Sequence, residues 1–272
     1  MRRRLWALSA PAVSAALAGA AVLAAARSSY AVDLAISIGV RETGTAASVG
    51  GDGGTNNSIE WVRRDGQLLS LDGTYQTFTF NFGTDPVAFF SGTQPGGGQP
   101  NRLDGTRGVL EHIRVRNVDG LSVPVQLYID NIRNTDPQGA PSVVSDFESH
   151  PLNSEVTFQE PLFSGSTSAN LAASPNVAAV TSGSASQGSQ SNGVQFRFVD
   201  GDTNRWLRLT TFAATNLPNP AIDFAPGSTL SFDVRGVPIP EPAAAAAATA
   251  VFAGVLTLWR GGSLKHRRPA RR

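Results

Sequence analysis

Short runs in which apolar and polar residues alternate recur along the middle of this chain. The six clearest runs are residues 74–82, 109–118, 125–132, 194–199, 205–212 and 229–234. Clusters of glycine, serine, threonine, asparagine and proline separate them, and no helical periodicity lies between. Alternation with a period of two gives a strand one apolar face, and each such face has to be buried against a second sheet. The sequence therefore predicts an all-β chain that forms a β-sandwich or jelly roll.

The region between the two chain ends, residues 32–237, is long enough for one large or two small sandwich units. Residues 134–142 contain two prolines and one glycine but no large apolar side chain. This break predicts one unit at 32–135, a linker at 136–143 and a second unit at 144–237. Either each half forms its own sandwich or the two halves complete each other, and we favour two units packed side by side.

Two polar stretches are expected to be loops. Residues 181–193 are rich in serine, glycine and glutamine, which predicts a mobile surface loop. Residues 200–204 match only the first ligands of a calcium loop. We predict that they form a hairpin turn between the runs 194–199 and 205–212.

The N-terminal end has the parts of a secretory signal peptide. Three arginines at positions 2–4 precede an apolar stretch at 5–26, and small residues follow. This order predicts a signal peptide at 1–31, which signal peptidase cleaves after Ala31, with a site near Ala26 as the alternative.

The C-terminal end has three parts. The motif Pro240, Glu241 and Pro242 is followed by an apolar run at 243–259 and by a tail at 260–272 that carries six basic residues. A run of 17 residues is at the short edge of what spans a bilayer. The basic tail would stay in the cytoplasm, so the pattern predicts a single transmembrane helix at 243–259.

These three parts, in this order over residues 238–272, resemble the PEP-CTERM sorting signal of bacteria that make extracellular polysaccharide. The resemblance implies that an exosortase, an integral membrane cysteine protease, recognises the proline-glutamate-proline motif. It also implies an exported protein that is held transiently in the inner membrane and then reaches the cell surface or the extracellular matrix. The alanine-rich start of the apolar run, residues 243–248, departs from the leucine-rich helices usual in that family.

The net charge of the exported part differs from that of the whole chain, which is +1. Residues 1–31 and 260–272 carry 10 of the 22 basic residues, which leaves 12 basic and 21 acidic residues in 32–259, a net charge of −9. An acidic body argues against nucleic-acid binding, for which a basic surface is expected. The chain has no cysteine, which excludes disulfides, thiolate metal sites and a cysteine nucleophile.

Three further stretches resemble the closing strands of carbohydrate-binding jelly rolls and galactose-binding-like domains. These stretches are residues 73–80, 108–113 and 127–132. The resemblance implies that Asp130, in the last stretch, ligates a structural calcium ion together with acids of the first strand. Glu42, or Glu148 if the two halves share an edge, would complete that site.

A carbohydrate site needs an aromatic platform beside planar polar groups, because pyranose C–H faces stack on rings while hydroxyls pair with polar side chains. Only Trp61 and Trp206 lie outside the two ends. Trp206 and Arg208 share the polar side of their run, and Gln195 and Arg197 are expected on a neighbouring strand. These last four residues form the predicted platform. The alternative is that Trp206 only covers a sheet edge or the seam between the units.

The histidines and acids form no catalytic motif. His112 lies on an alternating run, His150 precedes a proline and His266 is in the tail, and no GxSxG turn occurs. Glutamates for glycoside hydrolysis are available, but surface carboxylates are the default on β proteins. We therefore expect a non-catalytic module that contacts extracellular polysaccharide. The alternatives are a purely structural surface or biofilm protein and a secreted glycoside hydrolase.

Overall fold

The structure is a computed structural model that describes residues 33–42, 58–92, 100–214 and 216–239. Within these ranges the chain forms twelve β-strands and two short 3-10 helices. The strands are β1 (Asp33–Arg41), β2 (Ile59–Ser70), β3 (Tyr75–Asn81), β4 (Val87–Ser91), β5 (Arg107–Asn117), β6 (Val125–Thr135), β7 (Pro141–Ser145), β8 (Val177–Ser182), β9 (Gln190–Phe196), β10 (Trp206–Thr210), β11 (Ala221–Asp223) and β12 (Thr229–Pro238). The 3-10 helices are Pro161–Phe163 and Ser168–Asn170.

The described strands form two antiparallel sheets of six strands each. The first sheet has the order β10-β5-β1-β2-β4, and β11 also pairs with β5. The second sheet has the order β3-β12-β6-β9-β8, and β7 also pairs with β6. This arrangement confirms the predicted all-β fold and its β-sandwich character.

The apolar faces of both sheets contribute to one hydrophobic core. The strand β1 supplies four fully buried side chains: Leu34, Ile36, Ile38 and Val40. In the second sheet, the ring of Phe232 on β12 stacks with Phe78 and Phe80 on β3, at centroid distances of 6.1 and 5.7 Å. Burying one such side chain contributes about 1.5–3 kcal/mol, so this core is the main stabilising element of the fold.

Both sheets combine strands from the two sides of the predicted linker. In the second sheet, β12 pairs with β3 and β6. In the first sheet, β10 and β11 pair with β5. The two halves therefore complete each other, which corrects our preference for separate units at 32–135 and 144–237.

The stretch 136–143 is a tight turn followed by the start of a strand. The side chain of Asp136 accepts hydrogen bonds from the backbone N–H groups of Gln138 and Ala140, at 2.9 and 2.8 Å. The chain then enters β7, Pro141–Ser145, which pairs with β6. The predicted linker is corrected accordingly. A tight turn uses the same proline and glycine residues as a linker, so composition alone does not separate the two.

The predictions for both chain ends lie outside the described residues. They are the signal peptide 1–31 with its cleavage site after Ala31, the motif at 240–242, the helix at 243–259 and the tail at 260–272. Within the ranges that the structure describes, no helix is both long and apolar enough to cross a membrane.

Candidate functional site

The outer face of the first sheet carries a cluster of aromatic and basic side chains. Along β10 the two leucines are buried in the core, so Trp206 and Arg208 lie on the opposite, outer face. The register of β10 on β5 places Trp206 opposite Arg116 and Arg208 opposite Arg114. Opposite residues of antiparallel strands share one face of the sheet. The four side chains therefore project from the same face.

Three aromatic residues from three strands meet there: Trp61 on β2, Phe90 on β4 and Trp206 on β10. We call them the aromatic cluster. The two indole rings are nearly perpendicular, at 87°, with centroids 5.6 Å apart. The ring of Phe90 lies 4.6 Å from that of Trp61 and 5.9 Å from that of Trp206. Trp61 is buried and Trp206 is half-buried, so Trp206 supplies the indole surface that a ligand can reach.

Arginine side chains pack over these rings. The guanidinium carbon of Arg114 lies 5.1 Å from the ring centroids of both tryptophans, and that of Arg64 lies 4.9 Å from the centroid of Trp61. Such cation–π contacts contribute about 0.5–2 kcal/mol each. Carbonyl groups of β2 orient two of the arginines. Arg114 Nη1 donates to the carbonyl of Arg64 at 2.7 Å, and Arg116 Nη2 donates to that of Asp65 at 3.1 Å.

These side chains surround an open cleft of about 510 Å³, which we call the tryptophan cleft. Its lining includes Trp61, Arg64, Arg114, Arg116, Asn204 and Trp206. Asp65 also lines it. The cleft places an indole surface beside three guanidinium groups and a side-chain amide. Such groups can stack on C–H surfaces and donate hydrogen bonds to oxygen atoms of a ligand.

A buried polar network lies beside the cleft, and we call it the Glu111 network. The strand β5 has one extra residue opposite β1 at Glu111. The carboxylate of Glu111 accepts from Nε and Nη2 of Arg41, both at 2.9 Å, and from Nη2 of Arg208 at 2.6 Å. One carboxylate thus compensates the charge of two arginines that are largely withdrawn from solvent.

His112 belongs to the same network and is fully buried. Its ring lies over Gly39, where an added Cβ would be 2.0 Å from the imidazole Cε1. Trp61 Nε1 and Arg208 Nε face the two ring nitrogens at 3.1 and 3.2 Å. Burial holds the pKa of His112 well below its usual range. The positive charges of neighbouring arginines lower this pKa further, and Arg208 has the largest effect among them. The neutral ring carries one N–H and accepts one of these hydrogen bonds at a time, so it is not placed to act as a base toward solvent.

The structure separates the four residues of the predicted platform. Trp206 and Arg208 share β10 in the first sheet, whereas Gln195 lies on β9 of the second sheet and Arg197 directly follows it. The strand β9 pairs with β6 and β8, and the side chain of Gln195 donates to a glutamine of β6 at 2.6 Å. The chain crosses from one sheet to the other between β9 and β10. Residues 200–204 belong to this crossing, which corrects the predicted hairpin turn.

Glu42 and Asp130, two of the three predicted calcium ligands, hold separate parts of the fold. Glu42 directly follows β1 and accepts from the hydroxyl of Ser58 at 3.1 Å. Asp130, on β6 of the second sheet, accepts from the backbone N–H groups of Ser186 and Gln187 at 2.8 and 3.0 Å. In the described part of the chain, no group of three or more histidine, cysteine, aspartate or glutamate side chains is placed to hold a metal ion.

The third predicted ligand, Glu148, binds the connection between β8 and β9. Its carboxylate accepts from the backbone N–H groups of Ser189 and Gln190, both at 2.8 Å. These hydrogen bonds lower the pKa of Glu148, and the bond from Gln190 has the largest effect. Asp130 binds the same connection. Residues 181–193, expected to be a mobile loop, are therefore a hairpin whose turn is bound by two of the predicted ligands.

The sequence alone does not identify Phe90, Arg64, Arg114 and Arg116 as members of one site. The alternation of β5 predicts that Arg114 and Arg116 share its outer face, and this is the available signal. Their grouping with the two tryptophans depends on the order of the strands in the sheet, and alternation along single strands does not predict that order. Comparisons of the chain with protein-family models, with curated proteins and with solved structures found no match.

Proposed function

We propose that this chain is an exported protein of the cell envelope, sorted by an exosortase, whose β-sandwich is a non-catalytic module that binds extracellular polysaccharide. Signal peptidase removes residues 1–31, and the C-terminal helix holds the chain in the inner membrane until the exosortase acts at Pro240, Glu241 and Pro242. The mature protein then works at the cell surface or in the extracellular matrix.

The tryptophan cleft is the observation that carries the binding part of this proposal. The half-buried indole of Trp206 offers an apolar surface for the C–H face of a pyranose ring, and the burial of that apolar surface contributes about 25 cal/mol per Å². Arg64 and Asn204 are exposed at the same cleft. Their N–H groups are donors for sugar hydroxyl and acid oxygens.

Trp206→Ala is expected to weaken retention on extracellular polysaccharide by at least about tenfold. The reason is that it removes the accessible indole and leaves the buried core unchanged. Affinity electrophoresis of the full chain, in gels that contain polysaccharide from the producing strain, measures the effect. Phe163→Ala removes an aromatic side chain that is 53% exposed and outside the cleft, and it is the matched control.

Two results would count against the binding role. Equal retention of Trp206→Ala and the unchanged chain would exclude the tryptophan cleft as the binding site. An unchanged chain that the polysaccharide does not retain at all would favour the purely structural surface protein.

The order of the three C-terminal segments supports the sorting part. Proline fixes φ and restrains the residue before it, so Pro240 and Pro242 favour an extended segment next to the apolar run. An extended backbone is the conformation that proteases bind in their clefts. The motif therefore suits recognition at the membrane surface.

Replacing Glu241 by alanine is expected to leave the C-terminal tail on the protein and the protein in the membrane fraction. Mass spectrometry of both termini is the measurement. The unchanged chain should begin at Val32 and lack residues 243–272, and Ser263→Ala in the tail should be processed in the same way. An intact tail on unchanged protein that is released into the medium would refute the sorting proposal.

A further inference from the structure

Arg114 is buried in the wall of the tryptophan cleft without an acidic partner. The residue is 7% exposed, and its Nε has no hydrogen-bond partner. Among the residues that the structure describes, Arg114 forms no ion pair. The contrast with the Glu111 network is clear, because there Arg41 and Arg208 share one carboxylate.

The charges around Arg114 increase this imbalance. Arg64 and Arg116 line the same cleft, with Asp65 as an opposing charge. Burial, followed by the charges of Arg116 and Arg64, lowers the pKa of Arg114 to about 10, while Asp65 acts in the opposite direction. A buried ion without a partner costs several kcal/mol. A bound anion would remove much of this cost.

We infer that the tryptophan cleft binds an acidic sugar unit of a polysaccharide, with the carboxylate of the sugar at Arg114. The inference rests on the proposed function and names its ligand class. The planar carboxylate matches the planar donor fork of a guanidinium group. The Nε atoms of Arg114 and of Arg116 are buried and have no hydrogen-bond partner in the described part of the chain, so the hydrogen-bonding capacity of both guanidinium groups is incompletely used. A neutral sugar unit would leave the buried charge of Arg114 with only the two indole rings and the carbonyl of Arg64 to stabilise it.

The overall charge of the exported part does not explain such binding. Residues 32–259 carry a net charge of −9, so the protein as a whole repels a polyanion. This repulsion is screened beyond about 8 Å at physiological ionic strength. Attraction of an acidic polysaccharide must therefore come from a local group of arginines, and it should depend on single arginines of the cleft.

Isothermal titration calorimetry on the full chain, kept in a neutral detergent, tests the inference with two probes. The probes are sodium alginate, a polyuronate, and uncharged dextran. We expect alginate to bind at least about tenfold more tightly than dextran. Arg114→Gln should weaken alginate binding by about tenfold or more. Arg64→Gln, which changes an exposed side chain and leaves the fold intact, should weaken it by about threefold.

The matched control is Arg107→Gln. The side chain of Arg107 is 54% exposed and lies near Asp223 at 3.7 Å, outside the tryptophan cleft. Its replacement removes one positive charge, as the cleft variants do, and should leave alginate binding unchanged. Circular dichroism shows which variants fold, and Arg64→Gln decides the test if Arg114→Gln does not fold.

The outcomes separate the inference from the proposed function. Equal affinity for dextran and alginate, lost in Trp206→Ala, would overturn the acidic ligand and keep the polysaccharide-binding function. If neither probe binds but the native polysaccharide is still retained in the electrophoresis experiment, the acidic ligand is also overturned and the polysaccharide-binding function is kept. No binding in either experiment would overturn both. A loss of alginate binding in Arg107→Gln as large as in Arg64→Gln would show diffuse charge attraction and also overturn the acidic-ligand site.

Discussion

Replacing Glu111 by alanine is expected to lower the free energy of unfolding by about 3–5 kcal/mol. Its carboxylate is buried and accepts from Arg41 at 2.9 Å and from Arg208 at 2.6 Å. The side chains of these arginines are only 12% and 15% exposed. The substitution therefore takes the carboxylate away from two partly desolvated guanidinium groups and leaves Arg208 without the anion that it binds. Removing one partner of a buried ion pair costs far more than the pair itself contributes, because the remaining charge stays out of water.

Urea denaturation of the full chain measures this loss. Glu155→Ala removes an exposed glutamate on the same chain and should change the free energy by no more than about 0.5 kcal/mol. A double-mutant cycle between Glu111→Ala and Arg208→Met should give a coupling energy above about 1 kcal/mol, since the second change removes the Arg208 charge that the first leaves without its anion. A loss below about 1 kcal/mol for Glu111→Ala would mean that water compensates these arginines and that the network is not structural.

Strands with one apolar and one clearly polar face could be predicted from the sequence, whereas the central strand β1 is not among the predicted runs. The predicted run 229–234 lies within β12, and the predicted run 74–82 contains β3. Both could be recognised because one face of each strand is apolar. The strand β1 has seven consecutive buried residues. Its outer face carries small residues such as Ser37 and Gly39, and the His112 ring occupies the space over Gly39. Because these outer residues are small and buried, the alternation of apolar and polar residues along β1 is weaker than in the six predicted runs.

The candidate site illustrates a second limit of sequence-based prediction. Alternation along β10 places Trp206 outward, and that part is a property of a single strand. The neighbours of Trp206 are set by the order β10-β5-β1-β2-β4, which brings Trp61 to it from a distant part of the chain. Gln195 and Arg197 lie much nearer to Trp206 in sequence, but Gln195 is in β9 of the second sheet and Arg197 directly follows that strand. Strand order depends on the packing of the whole chain, so residue pattern and sequence distance do not determine it.

The other large effect concerns Glu60, a fully buried carboxyl group on β2. Burial, and then the charge of Glu42, raises the pKa of Glu60 from 4.5 to about 8. A hydrogen bond from the backbone N–H of Asn101 lowers this pKa, and the charge of Asp104 raises it further. The folded protein therefore carries Glu60 in its protonated form over much of the range in which the unfolded chain has lost the proton.

This difference sets the direction of the pH dependence. A group whose pKa is higher in the folded state contributes stability that is complete below the unfolded pKa and is lost as pH rises through the folded pKa. For Glu60 the loss runs from 4.5 to about 8. His112 acts in the opposite direction, because its folded pKa is lowered. Its contribution is complete above 6.5 and is lost as pH falls below that value.

Glu60→Gln is expected to raise the free energy of unfolding at about pH 8.5 by at least about 2 kcal/mol and to have little effect at about pH 5. The amide keeps the shape of the protonated carboxyl group and cannot ionise, so the variant avoids the buried negative charge that the unchanged protein acquires at high pH. Urea denaturation at both pH values measures the difference. His112 is present in both proteins, so its opposite contribution cancels. Glu155→Gln, at an exposed position, should give the same difference from the unchanged protein at both pH values. A gain for Glu60→Gln that is the same at both pH values would show that Glu60 does not titrate between them and that its burial does not govern the pH dependence of stability.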